Sequence, residues 1–369
     1  MEIKKWILAP FYLKLMCVLV SLISLGYLII LGREILSPMV FSCLFSILLL
    51  PLATFLEKKI RLPRSAASML SVILLLAIVA FIIYLIGSQI SNLASDWPQF
   101  QDQLHQSLQN LQNWISQTFH INARKQLNYV HTATSKVMDS SSTVVGTTIL
   151  SFSGILLFIL FTFIYTFFFL LYRTLIMRFL ESVFLEHHKK LVHDVIEEVQ
   201  YVIRKYIIGL LIEMTIVSVS VSVVFLLLGV KYAILLGLIT GILNLIPYIG
   251  ILTALIISSA ITFATSTEIS QVVFVMITIF ITHIIDSNIL LPLVVGSKVR
   301  INALMTVLGV MIGELIWGIP GMFLSIPITA VLKIIFDRVE GLKAWGLILG
   351  EEHQNENQLT KKLRIKKKG

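Results

Sequence analysis

The chain has 369 residues, 57% hydrophobic and 13% charged, against about a quarter charged in an ordinary soluble domain. With a mean hydropathy of +0.92, this excludes a soluble globular enzyme, and it excludes disorder, which needs low hydrophobicity and high charge. The net charge of +9 is not the mark of a nucleic-acid binder: Lys and Arg sit in short loops between apolar runs and in the tail residues Lys361, Lys362, Arg364, Lys366, Lys367 and Lys368, not in a groove or stripe on a folded domain. No nucleic-acid partner is expected, and the tail suits anionic lipid headgroups.

At about 20 apolar residues per membrane span, the chain divides as follows. The run after MEIKKW is too long for a cleaved signal peptide, and no small-x-small site follows it. It reads as a retained signal-anchor span over about 8–31. A turn at Gly32, Arg33 and Glu34 leads to a second span, about 37–56; a basic loop with Lys58, Lys59, Arg61 and Arg64 leads to a third, about 66–90. Cys17 and Cys43 have no metal-site spacing and are expected to be small packing residues. Residues 91–146 turn polar, yet Trp97, Phe100, Leu104, Leu108, Leu111 and Ile115 recur at helical spacing. This predicts a helical extracytoplasmic insert with one apolar face, either capping its own membrane domain or docking a subunit.

A fourth span, about 147–172, is dense in Phe. Residues 173–205 alternate Leu191, Val192, Val195, Ile196 and Val199 with Lys189, Lys190, Asp194, Glu197 and Glu198, which suits a cytoplasmic amphipathic helix lying on the membrane surface. His187, His188 and His193 in this segment lack a ligand spacing, and no metal is expected. The fifth span is about 206–229, and the sixth about 271–294.

Two apolar stretches are interrupted: 231–266 by NLIPYIG at 244–250, and 303–336 by WGIPG at 317–321. With the N-terminus inside, 24 of the 29 Lys and Arg fall on the cytoplasmic side and five outside, the bias that sets topology. Both termini are then cytoplasmic, the insert faces away from the cytoplasm, and residues 339–369 form a cytoplasmic basic tail. The parity makes the two interrupted stretches hairpins of opposite orientation, with arms of about 15–17 residues or about 24 Å, either re-entrant or just crossing. Irregular backbone at membrane depth must be shielded or line a wet cavity, and paired interrupted segments are the sequence pointer to a transporter's site. The predicted architecture is an all-α integral membrane protein with about six full spans, two broken helical hairpins and a helical extracytoplasmic insert, in which residues 206–338 form a transport-type unit.

Ionisable residues inside spans are costly and mark function. Glu213 lies in the fifth span, His283, Asp286, Ser287 and Asn288 in the sixth, Asn244 at the first tip and Glu314 just before the second. Thr282, His283 and Asp286 can share a helical face. Such a cluster can bind a cation, relay a proton or contact a hydroxylated solute; its structural alternative is a satisfied polar pair holding helices together. The chain lacks HExxH, GxxxxGK[ST] and GxSxG, so no ATP-driven pump, hydrolase or cofactor is indicated.

The stretches GLITGILNLIPYIGILTALI and DSNILLPLVVGSKVRINALMTVLGVMIGELIWGIPGMFLSIPITAVLKIIFD, with LPRSAASML, FFLLYR and YVIRKYIIGLLIE before them, resemble the autoinducer-2 exporter family of bacterial membrane proteins over about 1–340. The resemblance implies an oligomeric secondary carrier of the bacterial cytoplasmic membrane, associated with export of the furanone autoinducer-2 or with cation/proton antiport. Asn244, Pro247 and Gly250 match its first motif, Asp286, Asn288 and Pro292 its second, and Gly313, Gly318, Pro320 and Gly321 its last. The expected pathway residues are therefore Asn244, Pro247, Gly250, Asp286, Asn288, Pro292, Glu314, Pro320 and Gly321, with Glu213, His283 and Ser287 as secondary candidates. The expected partners are a small polar solute, H⁺ or Na⁺, anionic lipid at the tail, and further copies of the chain. The reading of another class is a membrane scaffold acting through the 91–146 insert.

Overall fold

The computed structural model describes residues 10–96, 106, 109, 113, 117, 153–247, 249–266, 268–294 and 301–350. Nearly all of the insert, the basic tail from 351 onward and the SKVR loop lie outside the described residues, and so do the expectations that rest on them.

Among the described residues every regular element is helical. Helices α1 (Phe11–Leu31) and α2 (Arg33–Lys58) are separated by the single residue Gly32. Residues 59–63 then separate α2 from α3 (Arg64–Ser95), with Pro63 at the helix entry, where its missing N–H costs nothing. Next come α4 (Ser153–Leu171), α5 (Arg173–Val183), α6 (Lys189–Leu227), α7 (Ala233–Leu243), α8 (Ile249–Thr265) and α9 (Ile269–Ile285). A π-helical stretch, Asp286–Leu290, joins α9 to the short α10 (Leu291–Val294); α11 (Ala303–Trp317), α12 (Ile319–Arg338) and α13 (Lys343–Leu349) complete the order.

Seven of these helices are long and apolar enough to cross a membrane, and the chain is a multi-pass membrane protein. Six coincide with the expected spans; the seventh is α12, the second arm of the second hairpin. Their outward faces carry large apolar side chains such as Phe81, Leu226 and Phe280, as lipid-facing helices must. Cys17 and Cys43, expected to be packed, are exposed on α1 and α2; a thiol is apolar enough to face lipid.

Two expectations change. The stretch 173–205 is not one surface helix: α5 ends at Val183, a turn at Glu186–His188 follows, and the charged remainder is the start of the continuous 39-residue α6. Nothing in its sequence stops the helix, since no Pro or Gly lies between Lys189 and Lys205. The hairpin arms are also unequal. Arm α7 has 11 residues, about 16 Å, whereas α12 has 20, about 30 Å, the full thickness of a hydrocarbon core.

The described residues group into two compact units, one from Met1–Ile47, Phe158–Val199 and Arg300–Gly369, the other from Leu48–Leu157 and Gln200–Val299. The first holds the second hairpin. Its arms meet at Gly313 and Gly321, where an added Cβ on either would come within 2.3 Å of the other's carbonyl oxygen. The tip turns at Gly318, whose φ of +65° suits glycine. Trp317 Nε1 at the tip donates to Ile29 O in the last turn of α1, 3.1 Å, filling a carbonyl that the break at Gly32 leaves without a helical partner. At the other end Asn302 caps α11 by accepting from Met305 N, and its amide donates to Ile348 O and Gly350 O, which ties α13 to the hairpin's entry.

The second unit holds the first hairpin, packed on α6 and α9 through Val217, Val221 and Phe225, Val230, Ala233 and Leu236, and Val275 and Ile279. Helix α6 closes with a Schellman turn: Gly229 has φ +68° and Val230 N donates to Phe225 O.

A carboxylate pair clasped by one amide

The polar residues of the second unit continue its apolar seam. On α6, Glu213 precedes Val217, Val221 and Phe225 at four-residue steps, and on α9 Asp286 follows Val275 and Ile279 by eleven and seven. The spacing that buries those apolar side chains therefore buries the two acids: Glu213 is 3% and Asp286 6% exposed.

Helix α7 brings the third member. Gly237 and Gly241 are spaced four apart and seat α7 on α6. A Cβ at Gly237 would lie 2.1 Å from Ser222 Oγ, and one at Gly241 would lie 2.0 Å from Ser218 Oγ and 2.6 Å from Met214 O. Small residues opposite small residues let two membrane helices approach this closely. The antiparallel register Gly237–Ser222, Gly241–Ser218 then carries Asn244, at the end of α7, to Glu213. Asn244 Nδ2 donates to Glu213 Oε1 and to Asp286 Oδ2, 3.0 Å each, so both hydrogens of one amide are used and the carboxylates are at most twice that distance apart. The other oxygens, Glu213 Oε2 and Asp286 Oδ1, are buried and have no hydrogen-bond partner among the described residues.

Two carboxylates this close repel strongly in a low-dielectric interior. The arrangement is stable when a proton sits on one acid or a cation sits between them. The clasp thus has the chemistry of an exchangeable H⁺ or small-cation site, with the orphaned oxygens as its free ligands.

The tip is held by a backbone approach. Asn244 N donates to Thr240 O, and Gly250 N to Ile246 O. A Cβ on Gly250 would fall 1.8 Å from Leu243 O, so only glycine fits there. Pro247 lies half-buried in this turn. On the other side of the clasp, Asp286 opens the π-helical stretch Asp286–Leu290, and Pro292 stands just beyond it. Proline lacks the N–H that would bond to Asn288 O and its ring crowds that carbonyl; the wider turn accommodates this, and such π segments often mark functional positions.

The other expected residues are placed elsewhere. Asn288 and Ser287 are exposed and turned back on their own helix, Asn288 Nδ2 donating to Ile284 O at 2.8 Å and Ser287 Oγ to His283 O at 2.8 Å. His283 is half-buried, with Nδ1 unpartnered among the described residues, and Pro292 is exposed. Glu314, exposed on α11, and the tip residues Pro320 and Gly321 belong to the first unit. No group of three or more His, Cys, Asp or Glu able to hold a metal occurs among the described residues.

Sequence reasoning did not single out a second polar cluster at the base of the first hairpin. Asp96 Oδ2, just past α3, accepts from Tyr232 OH at 2.7 Å and lies 3.0 Å from Lys231 Nζ. Tyr232 sits at φ +61°, a left-handed conformation, and the Lys231 ammonium lies 5.2 Å from its ring centroid. The only sequence signal was that charged residues flank two apolar runs. The hydroxyl of Tyr232, then the ammonium of Lys231, hold the Asp96 carboxyl below its usual range, and Asp96 raises Lys231. Because the folded value is depressed, the stabilisation is present above the unfolded carboxylate value of about 3.9 and is lost as pH falls through the folded one. Thermal melts of the wild type and Asp96→Asn should differ by a constant amount above about pH 5, draw together as pH falls past about 4, and coincide only below the depressed folded value.

A sequence model described as AI-2E family transporter matches residues 17–341. The Bacillus subtilis protein YueF is 24% identical over 81% of this chain and 82% of its own length. A Haemophilus influenzae protein is 26% identical over 87% and 91%. The Bacillus subtilis protein YrrI is 37% identical, over only 35% of this chain and 36% of its own length. All three are named as candidate transport proteins.

Proposed function

Since the chain belongs to the AI-2E family of transporters, we propose that it is an ion-coupled secondary carrier of a bacterial cytoplasmic membrane, moving a small polar solute by alternating access with Glu213, Asn244 and Asp286 as its coupling site. The observation that carries this is the single amide donating to two buried acids, each with an orphaned oxygen. Its depth supports the reading. Glu213 lies fourteen residues before the end of α6 and Asp286 seventeen after the start of α9, about 21 and 26 Å along their helices, inside a core of about 30 Å. At about 16 Å, α7 is too short to cross, which fits a re-entrant first hairpin with its tip at the clasp. The second hairpin, with a full-length arm α12 and a tip tied to the end of α1, fits a crossing one.

When a proton or cation occupies the clasp, the two acids are neutralised and the hairpin can move without carrying unpaired charge through lipid. When it leaves, the repelling pair favours a different arrangement. Export of the furanone autoinducer-2 is the substrate reading that the family supports. A cation/proton exchanger is the second reading, favoured by the site itself: two carboxylates and an amide suffice for H⁺ and Na⁺ with no organic solute.

The test is proteoliposomes containing a trapped pH dye, challenged with Na⁺ and separately with the furanone. Proton movement that follows the furanone supports the carrier. Proton movement that follows Na⁺ alone supports the exchanger. Flux of both without proton movement refutes proton coupling at the clasp.

A further inference from the structure

Helix α8 carries polar groups that the clasp does not use. Gly250, Ala254, Ser258 and Thr262 follow one another at four-residue steps, and all four are buried. Ser258 is 0% and Thr262 1% exposed, yet neither hydroxyl has a hydrogen-bond partner among the described residues. A helical Ser or Thr ordinarily satisfies itself on the carbonyl one turn back, as Thr253 and Thr265 of the same helix do. Ser258 and Thr262 do not, and Ser259 Oγ beside them is also unpartnered. They lie two turns after Ile251 and Leu255, which pack on the apolar seam of α6, α7 and α9. The unsatisfied hydroxyls therefore open onto the face that packs there, where a polar group without a partner is unfavourable.

The line they form has defined ends. It starts at Gly250, in backbone contact with Leu243 and so beside Asn244 of the clasp. It ends near the base of the hairpin, twelve residues and about 18 Å along α8. Every position on α8 itself is glycine, alanine or a hydroxyl residue, so what covers the line is the seam that faces it.

We infer that Ser258 and Thr262 are stations of a hydrated route along α8, by which water and the transported ion or polar solute pass between the clasp and the hairpin base once the apolar seam parts. The hydroxyls supply in turn a donor and an acceptor to a passing water chain or hydroxylated solute. This rests on the transport reading proposed above.

The experiment measures gradient-driven flux in proteoliposomes and thermal stability in detergent for Ser258→Ala, Thr262→Val, their double variant, and the hydroxyl-keeping Ser258→Thr and Thr262→Ser, with Asp286→Asn alongside. Each single loss of a hydroxyl is expected to lower flux about fivefold, the worth of one neutral hydrogen bond. The melting temperature should hold or rise, because an unsatisfied polar group has been removed, and the hydroxyl-keeping variants should retain flux. Wild-type flux in the double variant, with Asp286→Asn inactive, overturns the route while leaving the clasp standing. Wild-type flux in both overturns the coupling reading and the route with it. If the double variant does not fold, the single and hydroxyl-keeping variants decide: equal loss of flux in Ser258→Ala and Ser258→Thr would indicate packing and overturn the route.

Discussion

Asp286→Asn is expected to reduce ion-gradient-driven flux about 10- to 100-fold, the worth of one charge-assisted hydrogen bond or ion contact. The substitution keeps the shape and leaves an oxygen to accept from Asn244 Nδ2, now 3.0 Å from the carboxylate. It removes only the ability to exchange charge. Glu213→Gln should behave likewise, and the double variant should be no worse than either single, because two acids that share one donor and one ion titrate as a unit. Downhill movement of the solute without a gradient should persist in all three. Full wild-type coupling in Asp286→Asn would sink the clasp as the coupling site.

The second large effect belongs to the tip. Gly250→Ala places a methyl carbon 1.8 Å from Leu243 O and 2.5 Å from Leu243 C, and because the obstacle is backbone, no side chain can rotate away. The turn must open, and Asn244, the next residue after Leu243, leaves its two acceptors. Transport should fall to background, with destabilisation of about 1–3 kcal/mol or more from overpacking alone. Gly87→Ala in α3 is the control. No atom lies within 4 Å of its added Cβ, and the change should be neutral or stabilise α3 by up to about 1 kcal/mol. Melting curves and flux on the same preparations separate the two. Equal behaviour of the two variants would mean that the tip does not depend on this close approach.

The spans were legible because 20 apolar residues in a row admit few alternatives. The hairpins were legible because Pro247 with Gly250, and Gly318 with Pro320, interrupt runs that otherwise continue. Asp286 and Asn244 stood out as polar residues in apolar surroundings, and Glu213 as an acid within the fifth span; the four-residue spacing that buries it with Val217, Val221 and Phe225 came from the structure. What could not be read was which polar residues meet. That depends on the seating of Gly237 and Gly241 against Ser222 and Ser218, a long-range register with no local signature. For the same reason Asn288 looked equivalent to Asn244 in sequence but turns back on Ile284 O. The unequal arms were missed because each interrupted run was divided evenly about its break, whereas α7 starts only at Ala233, after the left-handed Tyr232, and ends at Leu243.

The glycine–serine contact between α7 and α6 has one more implication. Both partners repeat at a pitch of four residues, so the two surfaces are commensurate: after a slip of one helical turn, about 5.4 Å, a glycine again finds a serine. The amide clasp has no such repeat, because Glu213 is the one carboxylate in the apolar part of α6, residues 206–227. A hairpin that slid by one turn would thus meet a matching seat but lose the clasp, which is the geometry of a ratchet with one marked tooth.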